Sequence, residues 1–290
     1  MPQTISRHGQ TPEFYDLLTS HSLVPESGIN ITNTLKYQTN RWLYIPNYQR
    51  GVSWKTTFIN ESFITTNSPL LGNVILANWT IKDTDNREWV MALNKINNEY
   101  CHLLDGLQRF STGTMLLFNL HSLICRPNSP HKTHLTTINV LMTQIGNKSM
   151  VFEHNHNELL KHPRNAISNQ YKELTESYYE WLDNFLSLGK PNEINEYFNN
   201  IIQLFMEKQI AVDPFYGLTN ITDIMNVFLG VNTIRIELNE IDLIRSYIVE
   251  KGAQNNWTHA DIQNIENRFN DLFIARTLPK KNLLPFAILI

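Results

Sequence analysis

The segment "YCHLLDGLQRFSTGTMLLFNLHSLI" places a short polar cluster between two apolar runs, and this seam constrains the fold more than any other feature. "YCHLLD" alternates as a strand does, and "GTMLLFNLHSLI" carries the continuous apolar character of a buried helix. Gly106 permits the tight turn between them, so the chain passes here from strand to helix within a few residues. A helix N-terminus exposes backbone N–H groups that attract anions. Ser111, Thr112 and the guanidinium of Arg109 beside those groups complete a candidate phosphate site, with Asp105 and Gln108 able to orient a metal ion or a water. The blander reading of the same octamer has Asp105 capping the helix and Arg109 neutralising it at the surface.

Around this seam the chain reads as a mixed front half followed by a mostly helical back half. "RWLYIPNYQRGVSW" gives a short strand ending at Pro46, because the residue before a proline is pushed to extended geometry. "KTTFINESFITTN" is expected to be a helix with Phe58 and Phe63 inward. "LLGNVILANWTI" and "REWVMALNKI" alternate as strands joined by the turn "KDTDN". In "EINEYFNNIIQLFMEK", Phe198, Ile201, Ile202 and Phe205 form one apolar helical face. "NEIDLIRSYIVEKG" and "THADIQNIENRFNDLF" carry capping signals of two further helices. Residues 1 to about 40 read as a polar arm or a short leading helix. The apolar ending "NLLPFAILI" suggests a piece of a longer polypeptide.

Composition narrows the class. With 290 residues, 42% hydrophobic and 18% charged, the chain can build a sizeable core. A net charge of −3 excludes a strongly basic molecule, so nucleic acid would need a local patch. Two cysteines without metal spacing point to a reducing compartment, and no segment is apolar enough for a membrane, so a cytoplasmic protein is expected. The run "FEHNHNELLKHP" holds His154, His156 and His162, but it lacks a second ligand set and reads as a polar connecting loop.

Two further polar stretches accompany the seam. "IPNYQRGVSW" contains Tyr48, Gln49, Arg50 and Trp54, and "FLGVNTIRIELNEIDLIRSYI" contains Asn232, Asp242 and Arg245. Taken in order with "LLGNVILA" and "DGLQRFST", they resemble the N-terminal domain of the GmrSD-type modification-dependent restriction proteins and their relatives SspE and BrxU. That domain is related to ParB and sulfiredoxin. Its patterns read "IPxYQRxYxW", "FLGxIVL", "DGQQRLTT" and "FxxLNxxGxxLxxxDLIKxxL", and the resemblance spans about residues 40 to 250.

The resemblance implies an NTP-binding and hydrolysing domain, served by Mg²⁺, in a prokaryotic defence protein acting on modified or phage-derived DNA. A nuclease would lie in a further domain or in a partner subunit. Carried over residue by residue, Asp105, Gln108 and Arg109 take the catalytic roles, with Asp105 also holding the metal. Gln49, Arg50, Gly106, Ser111, Thr112, Asn232, Asp242 and Arg245 take nucleotide-binding roles. Leu107 replaces the first glutamine of the family's pair, and the "LNxxG" glycine is missing. The expected fold is α+β: a ParB/sulfiredoxin-like domain over residues 1–150, packed against a mostly helical second domain over 151–290. A rival reading is a non-catalytic DNA-sensing module, in which Arg41, Arg50 and Arg109 with Trp42, Trp54 and Tyr48 form the contact face. A regulatory subunit that recruits a nuclease is a third.

Overall fold

The computed structural model describes residues 11–24, 41–46, 49–79, 99–162 and 164–218, with isolated positions between 223 and 268. Within them five strands form one mixed sheet: β1 (His21–Leu23), β2 (Arg41–Tyr44), β3 (Leu70–Trp79), β4 (Glu99–Asp105) and β5 (Gln209–Leu218). The spatial order is β1-β2-β4-β3-β5. β1, β2 and β4 run parallel to one another, β3 runs antiparallel to β4, and β5 runs parallel to β3. The helices are α1 (Phe14–Ser20), α2 (α-helical over Thr56–Phe58 and π-helical over Ile59–Phe63), α3 (Leu107–Leu120), α4 (Asn139–Leu160), α5 (Asn165–Leu188) and α6 (Pro191–Met206). The architecture is mixed α and β, as expected.

The strand "YCHLLD", the helix after it and the face of Phe198, Ile201 and Phe205 stand where the sequence puts them, those three side chains being fully buried. "REWVMALNKI" and the turn before it, and most of the last two helical patterns, lie outside the described residues. The expected boundary near residue 150 falls inside α4, and β5, from the back half, pairs with β3. One apolar cluster runs from Phe14 to Val212.

Of the first forty residues 11–24 are described, and they hold a short helix, one of the two forms expected there, followed by a strand that was not. Helix α1 buries Phe14, Tyr15, Leu17 and Leu18, and Phe14 stacks on Phe205 of α6 at 5.6 Å. β1 then joins the sheet beside β2. Both elements are too short to show a period, and contacts with distant parts of the chain fix them. Gly113 of α3 lets α1 approach, since a Cβ there would lie 2.6 Å from both Leu18 and Phe14. Of the two phenylalanines in α2 only Phe63 is buried, beside Ile59. Phe58 is 44% exposed because Trp54 sits between the two rings, 4.9 Å from each, and Phe58 covers its outer side.

Most of the histidine run forms the end of α4 rather than a loop, and His162 follows the helix. His154 bonds the Leu23 carbonyl through Nε2 at 2.7 Å, His156 meets the Tyr171 hydroxyl at 3.0 Å, and His162 reaches the Ile45 carbonyl at 3.0 Å. These rings satisfy buried polar groups where α4 covers the sheet. Asn155 does the same, accepting from Leu23 N at 2.8 Å and donating to the His21 carbonyl at 2.9 Å. Among the described residues no helix is long and apolar enough to cross a membrane.

Candidate functional site

The site forms where β4 ends and α3 begins. Asp105 closes β4 opposite Ile75 of β3, and Ile75 is also opposite Asp213 of β5. Gly106 follows with φ +104°, a left-handed conformation that L side chains rarely adopt, and a Cβ there would also meet Val74 Cγ2 at 2.6 Å. Asp105 Oδ1 accepts the Gly106 N–H at 2.8 Å, which tightens the turn. Helix α3 starts at the next residue, so the N–H groups of Leu107, Gln108 and Arg109 belong to its first turn.

Gln49 and Gln108 interlock the motifs "IPNYQR" and "DGLQR", the first and third of the four. Strand β2 pairs with β4 as far as Tyr44 opposite His102, and Pro46, without an N–H, cannot continue the ladder. Buried Gln49 supplies the missing donors, its Nε2 reaching the Leu103 carbonyl at 2.7 Å and the Leu104 carbonyl at 2.9 Å. In return, Gln108 Oε1 accepts from Ser53 N at 2.9 Å and Trp54 N at 3.3 Å, while its Nε2 donates to the Gly51 carbonyl at 2.7 Å. Gly51 itself has no room for a side chain, because a Cβ would run into Gln170 and the Ala166 carbonyl of α5. The two glutamines therefore act on backbone, and Gln108 is held by three bonds rather than presented to a water. Gln49→Leu is expected to cost about 2 kcal/mol, since it deprives two carbonyls beside buried leucines of a donor. Urea denaturation checks this value.

Arg109 turns towards β3. Its Nε donates to the Leu71 carbonyl at 2.7 Å and its Nη1 to the Asn73 carbonyl at 3.1 Å. Gly72, at φ +100°, lies under the guanidinium, 2.7 Å separating Nη2 from where a Cβ would stand. Asn73 in turn donates from Nδ2 to Asp213 Oδ2 at 2.9 Å. Asp105, Arg109, Asn73 and Asp213 thus gather where β4 ends, alongside the middle of β3 and β5.

The other expected site residues separate into groups. Ser111 and Thr112 are fully buried, and Ser111 Oγ donates to the Leu107 carbonyl at 2.7 Å, so both hydroxyls face the core instead of the open helix end. Leu107, standing where the family has glutamine, is buried in the apolar cluster. Arg50 is half-buried beside Gln49. Arg41 opens β2 opposite Glu99, six residues from Asp105 and therefore about 20 Å along the sheet. Trp42 is fully buried on β2 and takes no part in an outer contact face with Arg41. Trp54 is half-buried between Phe58 and Phe63. Tyr48, Asn232, Asp242 and Arg245 lie outside the described residues. Among the described residues no cluster of three or more His, Cys, Asp or Glu is arranged to hold a metal ion.

Sequence reasoning missed Asn73 and Asp213. Asn73 occupies the variable place after the glycine of "LLGN", and Asp213 lies in "AVDPFYG", far along the chain. Only the pairing of β5 with β3 brings them together.

No curated protein matches the chain. The family model of the GmrSD restriction endonuclease N-terminal domain matches residues 31–249, more than half of its length. That span contains the interlocked motifs and the strand that completes the site. The chain belongs to the GmrSD N-terminal domain family, and with it to the proteins of restriction and phage defence.

Proposed function

We propose that this chain binds and hydrolyses a nucleoside triphosphate at the elbow from Asp105 to Arg109, as the regulatory domain of a restriction system acting on modified or phage DNA. The observation that carries the reading is the interlock: two glutamines fasten the first motif to the β4–α3 turn, fixing the first turn of α3 beside Arg109. Preorganised N–H groups and a cation are what a phosphoryl group requires, because phosphoryl transfer depends on positioning and charge stabilisation. The left-handed Gly106 keeps side-chain bulk away from the turn. Arg109 contacts phosphate, and Asp105 orients the attacking water.

Magnesium suits this arrangement, since with nucleotides it takes one or two carboxylates from the protein and its remaining ligands from phosphates and water. Asp105 provides such a carboxylate at the end of β4. When bound, the ion would neutralise charge on the phosphates. The sheet with its helices serves as a ParB/sulfiredoxin-like platform, and the nuclease resides in a further domain or a partner subunit. Leu107 packs inward, which leaves Gln108 as the motif's glutamine, and its place is structural. The backbone amides and Arg109 therefore supply most of the catalysis.

Arg109→Ala is expected to lower NTP turnover on the order of 10²–10³-fold, the effect of removing one preorganised charge-stabilising group. Arg109→Lys retains a cation without the fork and should fall between. A phosphate-release assay with ATP and GTP checks this. Equal turnover in all three proteins, or none in the wild type, overturns the enzymatic reading. DNA binding that weakens steeply with salt and ignores nucleotide would instead favour the sensing module.

A further inference from the structure

We propose that Asp213 is a positioning residue for Arg109, acting through a bulge in β3. The inference rests on the reading of Arg109 as the phosphate contact. In the pairing of β3 with β5, Leu70 stands opposite Gln209 and Asn73 opposite Ala211. β3 therefore uses one residue more than β5 over the same span, which is a β-bulge. Gly72, with its positive φ, lies inside it.

The bulge turns two carbonyls, those of Leu71 and Asn73, towards one guanidinium. Arg109 holds it from one side, and Asp213 holds it from the other through the Asn73 side chain at 2.9 Å. Asp213 is only 9% exposed, and a carboxylate acceptor in that setting makes a stronger bond than a neutral group. A bulge lacks part of the regular ladder, so without this second anchor the two carbonyls are held less firmly and Arg109 loses part of its fixed direction. Asp213 also belongs to a strand that follows α4, α5 and α6 in sequence. Displacement of β5 would therefore reach Arg109 by way of Asn73, which couples the back half of the chain to the phosphate contact.

The test reads Arg109 itself. In the full chain labelled with ¹⁵N-arginine, the Nε–H that donates to the Leu71 carbonyl is assigned by its loss in Arg109→Lys, and its hydrogen exchange is followed by NMR. Asp213→Ala is expected to accelerate that exchange about tenfold, the scale of one lost hydrogen bond. Asp213→Asn, which keeps an oxygen acceptor for Asn73, should restore most of the protection. Asn73→Ala cuts the same bond from the other end and should reproduce Asp213→Ala; it also replaces that variant if it does not fold. Unchanged exchange in either alanine variant overturns the proposal. So does failure of both to fold, because a positioning residue leaves the sheet intact. The exchange needs no nucleotide, so a wild type that binds none sinks the phosphate reading while this result remains legible.

Discussion

Acidification from pH 6.5 to 4 is expected to remove on the order of 5 kcal/mol of stability, roughly half coming from each of His21 and His156. Burial holds both rings well below the usual imidazole range, each at about 4 against an ordinary 6.5. His21 lies at the start of β1, its Nδ1 near the Leu17 carbonyl at 3.1 Å, with Arg41 opposing its protonation. His156 stacks on Phe118 at 3.5 Å and meets Tyr171. Both are neutral in the folded state above pH 6.5, and the unfolded chain takes up their protons first. Their contribution is thus fully present above the unfolded value and is lost as pH falls through the folded one. His154 is lowered by burial too and adds in the same direction. Since domains are stable by only about 5–15 kcal/mol, a loss of this size is a large fraction of the total. Urea titrations at several pH values measure it. His156→Gln, which keeps a polar partner for Tyr171 but does not titrate, should flatten the fall by about 3 kcal/mol; an unchanged fall would refute the assignment.

The second large effect concerns the elbow. Gly106→Ala places a Cβ on a residue at φ +104° and drives it against Val74 Cγ2. The backbone conformation alone costs about 1–3 kcal/mol for a non-glycine residue, and the displaced valine adds to it. Val74 is buried in β3, next to Asn73, so relief of the clash shifts the strand that holds Arg109. The expected result is a melting temperature several degrees lower, together with a loss of nucleotide affinity larger than the stability loss explains. A variant that melts as the wild type does would show that the turn tolerates a side chain.

The legible part of the fold is the part written in local pattern. "YCHLLD" and the helix after Gly106 stand out by alternation, glycine and apolar continuity, and α6 by the recurrence of Phe198, Ile201 and Phe205. Elements set by distant partners were hidden. α1 and β1 are short and owe their order to Phe205 and β2, and the histidine run reads as polar until Leu23, Tyr171 and Ile45 provide its bonds. The site shows the same division. Asp105, Gly106, Gln108 and Arg109 are adjacent in sequence and declare themselves. Ser111 and Thr112 share that short motif yet point inward, because helix periodicity turns them towards the core. Asn73 and Asp213 meet only through a parallel pairing across 140 positions, which no local pattern encodes.

Backbone amide shifts on titration with magnesium and ATP or GTP test the central claim most directly. If a triphosphate sits on the elbow, the N–H signals of Leu107, Gln108 and Arg109 move saturably and together, and Arg109→Lys weakens the binding. Shifts confined to other parts of the chain, or none with either nucleotide, would contradict it.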